Sequence, residues 1–102
     1  MSVVTTHQPG ISEEQMIRQM SCDGFEAAAR DYGSGATEPH QHDYDVCLYI
    51  VEGEFRLREV ERSIVHSFGP GDKVLVDRGT THAEEHGPLR MIVGRRHPVL
   101  TA

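Results

Sequence analysis

Between residues 25 and 96 the side chains change character at almost every second position, and glycine-rich turns interrupt the pattern every 8 to 12 residues or so. Phe25, Ala27 and Ala29 alternate with Glu26, Ala28 and Arg30, which predicts a half-buried strand, and Gly33-Ser34-Gly35 ends it. Residues 46–51 are apolar throughout and rich in β-branched side chains, as expected of a strand buried on both faces. Gly53 then predicts a bulge or bend. Phe55 and Leu57, followed by Ile64, His66 and Phe68, resume the alternation around a hairpin turn at residues 60–63. Gly69-Pro70-Gly71-Asp72, Arg78-Gly79 and Gly87-Pro88 separate three more strands: residues 74–76, Thr81 onwards, and residues 90–94, with Pro98 beyond the last. Many short strands in this rhythm specify an all-β antiparallel barrel or sandwich, without a helix-rich or internally repeated architecture.

Before the strands, Ser12-Glu13-Glu14-Gln15 fits a capping box. Ile11 would staple onto Met16, and Ile17 and Met20 complete an apolar stripe, so a helix is expected over about 12–22 with Gly24 just past its end. A helix this short needs a surface to pack on, and one side or end of the barrel offers it. Residues 1–10, with Pro9 and Gly10 as breakers, are read as a flexible tail in which His7 has no role, leaving 11–102 as one domain.

A chain of 102 residues is one domain with a modest core, and burying a further face against a second copy would help it, so a homodimer is expected. There are 16 Asp and Glu against 10 Lys and Arg. Arg56, Arg58 and Arg62 alternate with Glu54, Glu59 and Glu61, as on a solvated strand face, and no cluster of cations is available for phosphates. Nucleic acid is therefore not an expected partner. Cys22 and Cys47 are too few and too far apart for a disulfide framework or a CxxC pair, which favours a reducing, cytoplasmic setting. No apolar run approaches the ~18 residues of a membrane span. The first residues lack the basic start and apolar core of a signal peptide.

The chemistry concentrates in the histidines. In His40-Gln41-His42 the two imidazoles are residues i and i+2 of an extended segment. They share one face, about 7 Å apart along the backbone, and their nitrogens can converge on one ion. Such a pair also occurs on solvated strands, so its weight comes from a second segment. There, Gly71-Asp72 opens a strand, Arg78-Gly79 closes it, and His82 follows. Alternation puts Glu84 and His86 on the face of His82. Glu84 is a candidate general base and His86 a candidate ligand, substrate contact or proton carrier. His66 fits a core histidine, and Cys47 fits packing beside Tyr49. No Ser-His-Asp or P-loop pattern is present.

Together the two segments resemble the paired motifs of the cupin superfamily. The first motif is a glycine, a spacer, HxH, a glutamate and a later glycine; His40, His42 and Gly53 align with it. Gly71, Gly79 and His82 align with the glycines and the histidine of the second. The short helix, Tyr44-Asp45 and Gly94-Arg95-Arg96 resemble features of small single-domain cupin-2 conserved-barrel proteins. The resemblance implies a double-stranded β-helix, or jelly-roll, barrel with a metal inside. Three positions depart from the motifs: Val46 stands where the glutamate ligand is usual, Asp77 at the proline and His86 at the asparagine. What remains is a three-histidine site, His40, His42 and His82, suited to one divalent transition metal: Fe, Zn, Ni, Mn or Cu.

Such sites resemble those of thiol dioxygenases and of a diketone-cleaving dioxygenase. The expected function is a metal-dependent enzyme, dioxygenase-like or isomerase-like, acting on a small oxygen-bearing molecule. Val46, Leu48, Ile50, Phe55 and Leu57 would keep its site dry. The alternative is a non-catalytic small-molecule-binding or sensing module with a structural metal, in which Asp45 or His86 completes the coordination. Asp45 is also read as a surface carboxylate or a partner of Arg56 or Arg58.

Overall fold

A computed structural model describes residues 2–98 of the chain. Nine strands and one helix follow one another as β1 (Val3–His7), α1 (Glu13–Cys22), β2 (Glu26–Tyr32), β3 (Gly35–Ala36), β4 (Asp45–Glu52), β5 (Phe55–Glu59), β6 (Ile64–Phe68), β7 (Asp72–Val76), β8 (His82–His86) and β9 (Leu89–Arg96). The strands form two antiparallel sheets, ordered β1-β7-β4-β9-β2 and β3-β8-β5-β6, which close face to face as a jelly roll.

The space between the sheets is filled by Leu48 and Ile50 of β4, Phe55 and Leu57 of β5, Phe68, Val74, Val76, Leu89 and Met91. A second apolar cluster lies on the other side of the five-stranded sheet, where Met16 and Met20 of α1 pack with Phe25, Cys47, Tyr49 and Ile92. This is why β4 is apolar at every position from 46 to 51: alternate side chains enter the barrel or meet the helix. Ser12 caps α1, its hydroxyl accepting from the Gln15 N–H while the Gln15 side chain accepts from the Ser12 N–H. The Tyr49 hydroxyl, buried below the helix, hydrogen-bonds with the side-chain amides of Gln8 and Gln19.

Gly53 follows a register irregularity between Ile50 and Glu52, with φ at +95°. A Cβ there would fall 2.5 Å from the Pro88 carbonyl oxygen, so the bend needs glycine on two counts. Both cysteines are free, Cys22 exposed and Cys47 buried. No helix among the described residues is long and apolar enough to cross a membrane.

Three expectations are corrected. The segment read as a flexible tail contains β1, paired with β7 from Val3 opposite Val76 to His7 opposite Asp72. Its Val-Val-Thr-Thr run is β-branched, and main-chain pairing secures it without an apolar alternation. Ala29 is exposed, on β2 at the edge of its sheet. Glu59, read as part of a solvated face, is 3% exposed; it follows Phe55 and Leu57 in parity and points inward.

Candidate metal centre

His40 and His82 form an isolated antiparallel bridge. Each N–H donates to the other's carbonyl oxygen at 2.9 Å. Residues directly opposite in such a pair project from the same face, so the two rings meet, with centroids 4.4 Å apart. The residues around His40 are a loop, but this bridge gives it strand geometry. His42 stands two residues on, and its carbonyl is held by the Gly79 N–H at 2.8 Å. Gly79 has φ at +79°, so the tight turn before His82 also fixes the second residue of HxH. The His42 ring lies 4.9 Å from that of His40 and 5.5 Å from that of His82.

One nitrogen from each of His40, His42 and His82 lies within 4.8 Å of the others. Backbone carbonyls settle which nitrogens face inward. The His40 Nδ1–H donates to the Glu38 carbonyl, and the His82 Nδ1–H to the Thr80 carbonyl, each at 2.8 Å. In both, Nε2 is left with its lone pair facing the site, the arrangement that metal-ligating histidines adopt. His82 is buried, and the other two are partly so. This donor set fits a divalent transition metal, which takes neutral imidazole at about 2.0–2.1 Å.

Glu84 brings its Oε1 to 3.3 Å from His82 Nε2 and 4.0 Å from His40 Nε2. Its backbone is pinned by Thr37, whose hydroxyl accepts from the Glu84 N–H and whose N–H donates to the Glu84 carbonyl. Burial alone would raise the Glu84 carboxyl, but the ring of His82, then those of His40 and His42, hold it below the usual range. Burial and the neighbouring His40 and His82 push His42 down. His82 moves the other way: burial lowers it, and the Glu84 carboxylate and Thr80 carbonyl outweigh that.

His86 is not in the histidine group. Its ring stacks on Phe55 at 6.1 Å, meets Tyr32 edge-on at 5.8 Å, and donates through Nδ1 to the Gly87 carbonyl. Asp45 is bound elsewhere too. Its carboxylate takes Arg96 at 2.9 Å and the Arg78 N–H at 2.9 Å, so its partner is neither Arg56 nor Arg58. Arg56 pairs with Glu85.

Two contacts at the site follow from no motif. Tyr44 stacks on His42 with centroids 4.8 Å apart, and the guanidinium of Arg95 lies over the Tyr44 ring. The two-residue spacing that joins His40 to His42 also puts Tyr44 on their face. An open groove of about 710 Å³ runs along His42, Tyr44, Arg78 and Pro98. The other is made by Glu59, directly opposite His82 across the β5–β8 pair, which binds His66 at 2.6 Å and Arg62 at 3.4 Å.

The family model for the cupin domain matches residues 31–93. No curated protein matches the chain in sequence. Among solved structures, a DUF861 family protein from Thermotoga maritima superposes with a TM-score of 0.66 at 15% identity, over 90% of this chain and 97% of its own. A cupin superfamily protein from Desulfitobacterium hafniense gives 0.63 at 13% identity, over 95% and 79%. The polyketide cyclase RemF from Streptomyces resistomycificus gives 0.58 at 25% identity, over 95% of this chain and 72% of its own.

Proposed function

As a member of the cupin family, matched over more than half its length, this chain is one for which we propose a metal-dependent enzymatic role on a small oxygen-bearing molecule. The observation that carries the proposal is the convergence of His40, His42 and His82, two of them with Nδ1 tied to backbone carbonyls and Nε2 left free. These three hold one divalent transition metal. When bound, such an ion supplies Lewis-acid polarisation or, if it is redox-active, activation of dioxygen.

The rest falls to the chain itself. The carbonyls of Glu38 and Thr80 keep two imidazoles in the ligand tautomer. The apolar side chains between the sheets exclude water from one side of the centre. The groove beside His42 and Tyr44 admits the substrate. Glu84, beside the ring nitrogens, is within reach of proton transfer or coordination, and His86 is kept as a proton carrier further along the same strand face. RemF, a polyketide cyclase that superposes on this chain, supports a catalytic role. A second copy of the chain is proposed as partner, and sedimentation that gives the mass of a single chain would remove that part.

One observation favours the other reading, a sensing or carrier module stapled by its metal. The barrel interior is packed with apolar side chains, which confines any ligand to the mouth. The two readings differ in whether the ion keeps an exchangeable water, which water-proton relaxation of the copper-loaded protein measures.

Elemental analysis of protein purified without chelator tests the metal. About one ion per chain is expected in the natural sequence and none in His82→Ala. Iron points to oxygen chemistry; zinc or nickel points to isomerisation or a structural role. Equal metal in both preparations, or none in either, contradicts the proposal.

A further inference from the structure

We propose that Glu84 is the fourth protein ligand of the metal, supplied from β8 in place of the carboxylate that the first cupin motif would supply from β4. The inference rests on the metal-binding reading above and gives that site its charge. At the motif position stands Val46, which packs against the apolar barrel core and has no donor atom. The site would then be three neutral imidazoles, with no protein anion to offset a divalent cation.

Glu84 is two residues from His82, so it projects from the same face of β8. Opposite it on β5 is Leu57, fully buried. The carboxylate is largely buried, and among the described residues no Lys or Arg lies within ion-pair distance of it. Its charged or chargeable neighbours are the inward-facing nitrogens of His40 and His82. A carboxylate in an apolar wall needs a cation or several donors.

The contact with His82 is a poor substitute. At 3.3 Å it is long beside the roughly 2.7–2.9 Å of a charge-assisted hydrogen bond. It is close to the spacing of two donors that share an ion at about 2.0–2.2 Å from each, which is about 3 Å at a right angle and about 3.5 Å at a tetrahedral one. The 4.0 Å to His40 Nε2 needs a small adjustment of the same side chain. The Glu84 oxygen therefore stands from the His82 and His40 nitrogens at distances closer to those of donors around one ion than to a hydrogen bond, while it lies outside the 4.8 Å group that the three histidines form.

The paired hydrogen bonds to Thr37 hold this residue in register. Both bonds are made by the Glu84 main chain, and they fix the point on β8 from which its side chain leaves.

The test uses the full chain and zinc or cobalt alone. Zinc affinity is read by competition with a chromophoric chelator for the natural sequence, Glu84→Gln, Glu84→Asp and Glu85→Gln; Glu85 points outward and pairs with Arg56. Glu84→Gln is expected to weaken zinc at least a hundredfold, beyond the ~10–100-fold typical of an outer group. Glu84→Asp is expected to fall in between, and Glu85→Gln to bind like the natural chain. The visible bands of the cobalt-loaded protein should shift in Glu84→Gln and stay in place in Glu85→Gln. Metal-free thermal melts of each variant separate lost ligation from lost folding, and Glu84→Asp, which keeps the charge, carries the test if Glu84→Gln does not fold. Unchanged affinity and unchanged cobalt bands in Glu84→Gln overturn the inference and leave the three-histidine reading standing. Absence of zinc binding in the natural chain overturns both.

Discussion

Asp45 shows how much one side chain of this fold depends on residues far away in sequence. Its carboxylate binds Arg96, 51 residues on, and the Arg78 N–H, while Arg96 itself lies over the Phe25 ring at 4.4 Å. Burial alone would raise this carboxyl, but the Arg78 N–H and the Arg96 guanidinium outweigh it and hold it below the ordinary carboxylate range. A folded-state value below the unfolded one stabilises the fold fully above about pH 4, and that stability is lost as pH falls through the folded value. Asp45→Asn should cost about 1–2 kcal/mol at pH 7 and flatten the loss of stability below pH 4. Urea unfolding at pH 7 and pH 3 measures both; an unchanged difference between the two would contradict the assignment. The cysteines give a second check. Burial pushes the Cys47 thiol up to about 11, while Cys22 is exposed. A thiol reagent at pH 8 should find one reactive group in the folded protein and two in denaturant; two fast-reacting groups in the native state would show that the face beneath α1 is open. Pairings such as Asp45 with Arg96 are illegible in a single sequence, because nothing local selects one arginine among several. The parity of Glu59 with Phe55 and Leu57 was legible, yet its charge argued for solvent until His66 and Arg62 were seen to close over it.

At the scale of elements, apolar periodicity and turn chemistry carried most of the reading, and they did so where one face of a strand is buried. The helix emerged from its capping box and stripe, β4 from a continuous apolar run, β5 and β6 from alternation, and β7 to β9 from the turns that separate them. β1 did not, because an edge strand held by main-chain pairing to β7 leaves Val4, Thr5 and Thr6 exposed and shows no buried face to detect. Among the turns, the bend at Gly53 depends most on residue type. Gly53→Ala has to bear a positive φ and a Cβ pressed on the Pro88 carbonyl. The expected loss is about 2–4 kcal/mol, seen as an earlier denaturant midpoint with unchanged slope. A midpoint within error of the natural chain would show that the β4–β5 bend can relax.

For the whole molecule, folding brings His82 beside His40, 42 places earlier in the chain, so the candidate metal centre exists only in the folded state. A ligand that binds the folded state alone stabilises it. Zinc at about a hundred times its Kd should add about 2.7 kcal/mol, a rise in Tm of roughly 10–20 °C for a domain of this size. Chelator should reverse it and His40→Ala should abolish it; a zinc-induced rise that survives in His40→Ala would place the ion elsewhere. The His40–His42 pair was legible in its two-residue spacing, and His82 joined it through the resemblance to the paired cupin motifs. The nearness of Glu84 was not, since alternation assigns a face and not a distance. The central claim is that His40, His42 and His82 meet at one ion. Anomalous diffraction at the zinc edge, from crystals grown with zinc, tests it directly. The account predicts one dominant peak about 2.0–2.1 Å from a nitrogen of each of the three rings. A peak elsewhere, or one that touches fewer than three of them, would contradict it.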